Sequence, residues 1–424
     1  MDRKGKCKAT SNIRVSYSLD YYILKYILHT TSLCLKFFPS SATVSTPGNV
    51  ARLPPRVELV ALPLPRVEGL PDGAESTNAV PYDKLGLLFE AFDGLAAPFA
   101  EFLAATCGDG DTRPDWIIVD CYHHWAAARW STSSSVTNRA AVLPRYESER
   151  DKLYHSNLGG TSIAQRYALT RAGGGGGGGV RVLAVIPSCV EWEPEFYPQV
   201  APLLCKPVVP LGLLPPSPDG GRANGEHAAV RWLDAQPPGS VVSVALGSEV
   251  RLGLEQVREL ALGLELAGAR FLWALRNPDA DLLPWVPQVS VLAHDAVGGF
   301  LTHCEQNSLA EGLLFGRPLI MLPILGDQGP NARLMEGKKV GLQVPRDEND
   351  GSFDRHGVAS AVRAVMLEEE TRGLFVANAL KQQEIVADEE LHGRYIDQFV
   401  EQLRSYTADG NSSTAGLRAW RAKA

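Results

Sequence analysis

The stretch that decides the fold is residues 285–328, which read WVPQVSVLAHDAVGGFLTHCEQNSLAEGLLFGRPLIMLPILGDQ. Two apolar runs in it, at 298–303 and 319–323, have the length of buried strands, and residues 308–315 between them have helical spacing. A strand, a helix and a second strand in this order form a parallel βαβ unit. Residues 285–328 therefore predict an α/β fold with a parallel sheet.

The same alternation of strand-like and helix-like runs continues on both sides of this stretch. A chain of 424 residues with 45% hydrophobic content can fill two cores, so we predict two domains. The predicted strands are at 116–119, 180–186, 240–246 and 271–275, and the predicted helices are at 85–105, 253–267, 358–370 and 371–403.

Residues 211–225, which are rich in Pro and Gly, are the predicted linker between the two domains. Residues 1–41 differ in composition from the rest, because a basic start is followed by an apolar run that lysines interrupt. Such a run does not favour membrane insertion. The predicted parts are an atypical amino-terminal segment at 1–41, a first domain at 42–210, the linker at 211–225, a second domain at 226–405 and a tail at 406–424.

Charge and cysteine content exclude several classes of protein. A net charge of −7 provides no basic face for a nucleic acid. The seven cysteines are scattered without a C-x-x-C pair, and an odd number argues against a disulfide framework. We therefore expect a cytoplasmic, monomeric protein.

Polar residues collect at one edge of the predicted βαβ unit. His303 ends the first strand, and Asn307 and Ser308 open the helix, whose amino end suits a phosphate. Glu311, one turn further on, can accept bonds from a ribose diol. Ser308 and Glu311 also fit a capping box, which would need no ligand.

Further polar residues flank this unit. Asp327 and Gln328 follow the second strand, and ligands of open α/β sheets collect at that edge. Trp285 and Gln288 precede the unit and offer an aromatic face and an amide to a base. The pattern indicates a nucleotide site.

Residues 285–328 resemble the carboxyl-terminal signature of plant UDP-dependent glycosyltransferases that act on small molecules. Similarity to this family extends from about residue 42 to about residue 403 and is closest to the branch with sugar-on-sugar and flavonoid-type transferases. The resemblance implies two facing Rossmann-like domains of the GT-B type, with the acceptor mainly on the first and the UDP-sugar on the second.

The resemblance also implies roles for residues that match the family's pattern. Uracil would stack on Trp285, and Val286, through its backbone, and Gln288 would hold the base and ribose. Glu311 would take the ribose hydroxyls. The diphosphate would be held by His303, Asn307 and Ser308, with Ser248 approaching from another loop. Asp327 and Gln328 would hold the sugar, and Asp120 would orient the catalytic histidine.

The signature departs from the family at Glu305 and Gln306, where the family has glycine and tryptophan. Glu305 introduces a negative charge beside a dianionic diphosphate. At ~5 Å and an effective dielectric constant of about 20, the repulsion is on the order of 3 kcal/mol before screening. We expect weaker donor binding unless Glu305 points away.

The catalytic histidine is not found. The family carries it on a glycine-rich loop after the first strand, and no such loop precedes residue 42. His29 lies in a different context, and His123 and His124 follow Asp120 too closely to be its partner. Only residues 277–284 separate a predicted strand from Trp285, so a strand of the second sheet is expected to be missing. We therefore predict an incomplete amino-terminal domain.

Other motifs do not indicate a metal or a redox cofactor. Asp109-Gly110-Asp111 lies in an evident loop, and residues 347–354 place a glycine at the wrong position for a calcium loop. No G-x-G-x-x-G follows a strand, which disfavours a dinucleotide-dependent oxidoreductase.

We therefore predict an inverting UDP-glycosyltransferase, impaired by its altered residues, that transfers a hexose or deoxyhexose to a hydroxyl of a small plant metabolite. The acceptor would be a flavonoid, a terpenoid or one of their glycosides. UDP-sugar would be a co-substrate, with no other cofactor and no metal. The alternative is a non-catalytic nucleotide-binding or small-molecule-binding remnant of such an enzyme.

Overall fold

A computed structural model describes residues 12–16, 34–38, 57–59, 62–74, 80, 84–106, 116–118, 184–195, 197–204, 207–216, 227–247, 252–275 and 286–408. The described residues divide into two compact units. The first holds those up to Leu214 together with those from Glu390 onward, and the second runs from Pro215 to Glu389. The division is close to the predicted linker. The sequence analysis placed residues 390–405 in the second domain, whereas in the structure they group with the first unit.

Four strands of the first unit form a parallel sheet in the order β3-β2-β1-β4. They are β1 (Asn12–Ser16), β2 (Cys34–Phe38), β3 (Val57–Leu59) and β4 (Trp116–Ile118). Both β1 and β2 come from residues 1–41, so the prediction of an atypical segment outside the first domain is wrong for these strands. Each is five residues long and contains a basic residue, Arg14 or Lys36. This residue interrupts the apolar run by which a buried strand is recognised in a sequence.

The other described residues of the first unit form helices and a pair of short strands. The predicted helix at 85–105 is confirmed as two helices, α1 (Leu85–Gly94) and α2 (Ala96–Thr106), whose buried core includes Leu88, Phe89 and Phe92. The remaining elements are the parallel pair β5 (Ala184–Ile186) and β6 (Val208–Pro210), the intervening α3 (Tyr197–Leu204), and most of the last helix of the chain.

The second unit contains a parallel sheet in the order β11-β10-β9-β7-β8. Its strands are β7 (Val241–Ala245), β8 (Arg270–Trp273), β9 (Val297–Thr302), β10 (Leu319–Met321) and β11 (Gly341–Gln343). Four of them confirm predicted strands, and β11 was not predicted. In the ranges that the structure describes, β8 is an edge strand; residues 276–285, which bear on the expected loss of a strand, lie outside those ranges.

Helices connect these strands. They are α4 (Ala228–Asp234), α5 (Leu254–Ala267), α6 (Gln288–Ala293), α7 (Gln306–Leu314), α8 (Gln328–Gly337), α9 (Arg355–Met366), α10 (Glu369–Val386) and α11 (Glu389–Ala408), which crosses into the first unit. The sequence predicted two closing helices where the structure has three. Residues 367–368 and 387–388 interrupt them, and neither break carries a Gly or Pro that would reveal it.

Helices α5 and α9 pack closely on the second sheet. A Cβ on Gly263 of α5 would lie 2.5 Å from Cβ of Val358 in α9, so only glycine permits this approach. Arg355 at the start of α9 donates from its backbone and its guanidinium to the carboxylate of Glu259 in α5. None of the helices in the described ranges combines the length and apolar character that crossing a bilayer requires.

The order of the strands fixes where a ligand can bind. In the second sheet, β8 and β9 lie on opposite sides of β7, so the chain reverses its direction across the sheet between β7 and β9. In the first sheet the corresponding pair is β1 and β4. Loops that leave the carboxyl ends of such a pair diverge and open a crevice, where ligands of α/β proteins bind.

Candidate functional site

Two loops meet at the crevice of the second sheet. Gly247 follows β7 and His303 follows β9, and these strands pair so that Ala245 is opposite Thr302. A Cβ built on Gly247 would lie 2.5 Å from Nε2 of His303, and Gly247 has a φ of +75°. Both the left-handed backbone and the missing side chain are therefore needed at this position. Gly247 packs directly on the imidazole.

The imidazole of His303 is buried, with only 2% of the residue exposed. Its Nε2 lies 2.9 Å from Oε2 of Glu305, whose side chain is 51% exposed. Nδ1 is buried and has no hydrogen-bond partner among the described residues. With the proton on Nε2, His303 donates to Glu305, and this bond lowers the pKa of the Glu305 carboxyl.

The turn between β9 and α7 has an unusual backbone. Cys304 is buried and has a φ of +71°, which is rare for a residue other than glycine. Its carbonyl accepts a bond of 3.1 Å from Nδ2 of Asn331, and its backbone N–H donates to Oγ1 of Thr302 at 3.3 Å. Burial raises the pKa of the Cys304 thiol, so this cysteine is a core residue.

Helix α7 begins earlier than the sequence indicated. Its N-cap residue is Glu305, whose side chain makes no capping bond, and its first backbone bond runs from the N–H of Leu309 to the carbonyl of Glu305 at 3.0 Å. Asn307 is exposed and Ser308 is buried, both in the first turn. The alternative of a capping box from Ser308 to Glu311 is therefore wrong.

The structure brings together two residues that were predicted to hold the base and ribose. Nε2 of Gln288, at the start of α6, donates to Oε2 of Glu311 in α7 at 2.7 Å. Val286 is half-buried against the core between α4 and β7. The amide of Gln288 thus orients the carboxylate of Glu311 before any nucleotide binds.

The loop after β10 carries the two residues predicted to hold the sugar. Gln328 is buried, and its Oε1 accepts bonds from the backbone N–H groups of Ile324 (2.8 Å) and Leu325 (2.9 Å). That oxygen maintains the loop, so the amide of Gln328 can offer only its NH₂ group to a sugar. The carboxylate of Asp327 accepts from Nδ2 of Asn331 at 3.2 Å.

Asn331 is a residue that sequence reasoning missed. The same Nδ2 bonds the Cys304 carbonyl and the Asp327 carboxylate, so it ties the loop after β9 to the loop after β10. Desolvation, and then the charge of Glu305, raise the pKa of Asp327, while the bond from Asn331 opposes the shift. The sequence signal for Asn331 was its position four residues after Asp327, which places the two side chains on the same face of a helix.

Three predicted site residues lie outside the described residues: Asp120, Ser248 and Trp285. The histidines His29, His123 and His124 do so as well. In the sequence, Asp120 follows the end of β4 by two residues, and β4 borders the crevice of the first sheet. Within the described ranges, no group of three or more His, Cys, Asp or Glu side chains could hold a metal ion.

The chain is similar to known proteins over most of its length. The profile of the family described as UDP-glucoronosyl and UDP-glucosyl transferase matches residues 225–389, which include the second sheet. UDP-glycosyltransferase 91D2 of Stevia rebaudiana is 36% identical over 426 residues, with 86% of this chain and 88% of the relative covered. Soyasaponin III rhamnosyltransferase of Glycine max is 32% identical over 426 residues, with 86% and 89% covered.

A solved structure supports the fold. UGT89C1 of Arabidopsis thaliana complexed with UDP-L-rhamnose superposes with a TM-score of 0.72 at 23% identity, and the match covers 93% of this chain and 100% of that one. This similarity confirms the predicted α/β architecture with two Rossmann-like domains.

Proposed function

The chain belongs to the plant UDP-glycosyltransferase family and has the GT-B fold, and we propose that it transfers a hexose or deoxyhexose from a UDP-sugar to a small-molecule glycoside of the terpenoid or flavonoid type. Several relatives support this class of acceptor. They include the soyasaponin III rhamnosyltransferase of Glycine max and the mogroside IIIx synthase of Siraitia grosvenorii, which is 30% identical.

The donor part of the proposal is carried by the Gln288–Glu311 pair. A carboxylate that an amide already orients can accept both hydroxyls of a ribose without a further loss of side-chain freedom. The amino end of α7 and His303 then provide positive potential for the diphosphate. Trp285 would cover the uracil, and Val286 would hold it by its backbone.

The proposed reaction is a displacement with inversion at the anomeric carbon. An acceptor hydroxyl attacks that carbon, its O–C bond forms as the bond to the UDP oxygen breaks, and its proton passes to a base. Groups aimed at the leaving diphosphate, namely the amino end of α7 and His303, would stabilise the charge that develops there. The sugar hydroxyls would bind Asp327 and the NH₂ group of Gln328.

The proposed mechanism lacks an efficient general base. The family's histidine lies on a glycine-rich loop after its first strand, which in this chain corresponds to β1. Residues 17–33, between β1 and β2, contain no glycine, and their single histidine, His29, comes 13 residues after β1 rather than in such a loop. Asp120 can orient a base but is itself too weak a base to replace it efficiently. We therefore propose low turnover in this chain, although the donor site retains its main residues.

Calorimetry with UDP and ADP tests the donor site, and product analysis with UDP-glucose and UDP-rhamnose over a panel of glycoside acceptors tests the reaction. We expect binding of UDP in preference to ADP and slow formation of a glycosylated product. Equal affinity for the two nucleotides, or none for either, would contradict the proposed donor site.

A further inference from the structure

The carboxylate of Glu305 already accepts the hydrogen bond from His303 that a bound diphosphate would need. Its Oε2 lies 2.9 Å from Nε2 of His303, and Nδ1 of that imidazole is buried. His303 therefore has one nitrogen that an incoming ligand can use, and Glu305 already holds it.

Glu305 also lies at the amino end of α7. It is the N-cap residue, yet its side chain makes no capping bond and turns to His303. A negative group in this position is favoured by the helix dipole, as a bound phosphate would be. The carboxylate thus uses both of the features, the helix end and the imidazole, that would attract the diphosphate of a donor.

We propose that Glu305 is a specificity-determining residue that competes with the donor's diphosphate for His303 and so lowers the affinity for UDP and UDP-sugars while sparing the uridine moiety. This inference rests on the proposed donor site. Uridine would be recognised at the Gln288–Glu311 pair, and Glu311 comes six residues after Glu305 in the chain, about 9 Å further along α7. The penalty therefore falls on ligands that carry a diphosphate.

The surroundings hold the competing carboxylate in place but leave it able to move. Gly247 covers the imidazole on one side, and Asn331 fixes the carbonyl of Cys304, directly before Glu305. About half of the Glu305 side chain is exposed, so it can turn to solvent when a diphosphate enters. The competition is therefore a reversible exchange of one anion for another at His303.

The test compares the affinities for uridine and UDP in the wild-type chain, in Glu305→Gly and in Glu305→Gln. Glycine removes the side chain, and glutamine keeps its size but removes its charge. Glu348→Gln removes the same charge from an exposed loop residue and is the matched control. Ligand-observed NMR for uridine, calorimetry for UDP and thermal unfolding of each variant are sufficient.

We expect UDP to bind roughly 10- to 100-fold more tightly to Glu305→Gly than to the wild type, because the hydrogen bond from His303 to a charged oxygen becomes available to the phosphate. The increase should be smaller for Glu305→Gln. Uridine affinity should not change in any variant, and the control should behave as wild type. If uridine binds equally in all four proteins but UDP does not tighten in either Glu305 variant, the role of Glu305 is refuted. If neither ligand binds any of them, the proposed donor site falls first and this inference with it.

Discussion

Replacing Gly247 by alanine should displace the imidazole of His303. The new Cβ would lie 2.5 Å from Nε2 and 2.7 Å from Cε1 of that ring. Non-bonded heavy atoms prefer a separation of about 3.5 Å, so the ring must retreat by roughly 1 Å. A hydrogen bond from Nε2 that measures 2.9 Å would then exceed bonding distance.

The chain offers a matched control for this change. Gly268, which follows α5, has a φ of +74°, and a Cβ there would meet nothing within 4 Å. Both substitutions place alanine in the left-handed region, which should lower the free energy of unfolding by ~1–2 kcal/mol. Only the new Cβ at position 247 also collides with His303, so the additional loss of unfolding free energy in Gly247→Ala measures the cost of that collision.

Binding should separate the two variants more clearly than stability does. The comparison is made in the Glu305→Gly background, in which Nε2 of His303 is expected to be available to phosphate. Loss of one bond to a charged oxygen costs about 1.5–3 kcal/mol, or roughly a 10- to 150-fold decrease in UDP affinity. Calorimetry should show this decrease in UDP affinity for Gly247→Ala and not for Gly268→Ala, and urea unfolding should show the larger loss of stability for Gly247→Ala. If the two alanine variants had the same UDP affinity, His303 would not bind the diphosphate.

Three further predictions follow from the structure. Glu311→Ala should abolish any preference for UDP over 2′-deoxy-UDP, measured by calorimetry, because the carboxylate is proposed to accept the ribose hydroxyls. Hydrogen bonds from Arg355 lower the pKa of Glu259 to about 2, so this pair stabilises the fold above the unfolded pKa near 4.3, and the contribution disappears as the pH falls to about 2. Glu259→Gln should remove that part of the acid-unfolding curve, whereas Glu370→Gln, on an exposed surface, should not. Exchanging residues 17–28 for a glycine-rich histidine loop of the family should raise turnover by ~10²–10⁴-fold, and the same loop with glutamine for histidine should not.

The second sheet was predictable because its strands are buried on both faces. The residues of β7, β9 and β10 are all buried, so each strand is a near-continuous apolar run in the sequence. In the first sheet, β1 and β2 carry a basic residue in five, and β3 and β4 are three residues long. Of these four strands, β4 matches the strand predicted at 116–119. The other three each contain a charged residue and do not differ enough from loop sequence to be recognised.

The start of α7 could not be predicted for a different reason. The sequence indicated a start near Ser308, whereas the left-handed backbone of Cys304 turns the chain sharply enough for the helix to begin at Gln306. A positive φ at a cysteine has no sequence signature, because that conformation is normally marked by glycine or asparagine. The contact between His303 and Glu305 depends on this turn and was therefore also unpredictable.

The two departures from the family pattern should act on different steps of the reaction. Glu305 opposes the diphosphate in the bound donor and in the transition state alike, so its removal should mainly lower the KM for the UDP-sugar. The missing histidine affects only the transfer of a proton as the acceptor attacks, so restoring it should mainly raise kcat. Asp120→Ala should reduce kcat in a chain with a restored histidine and have little effect in the natural one, because an orienting carboxylate acts only through the base that it orients. Combining the two repairs should therefore multiply their effects on kcat/KM, as expected for independent sites. A combined effect far smaller than the product would mean that Glu305 itself takes part in the chemistry.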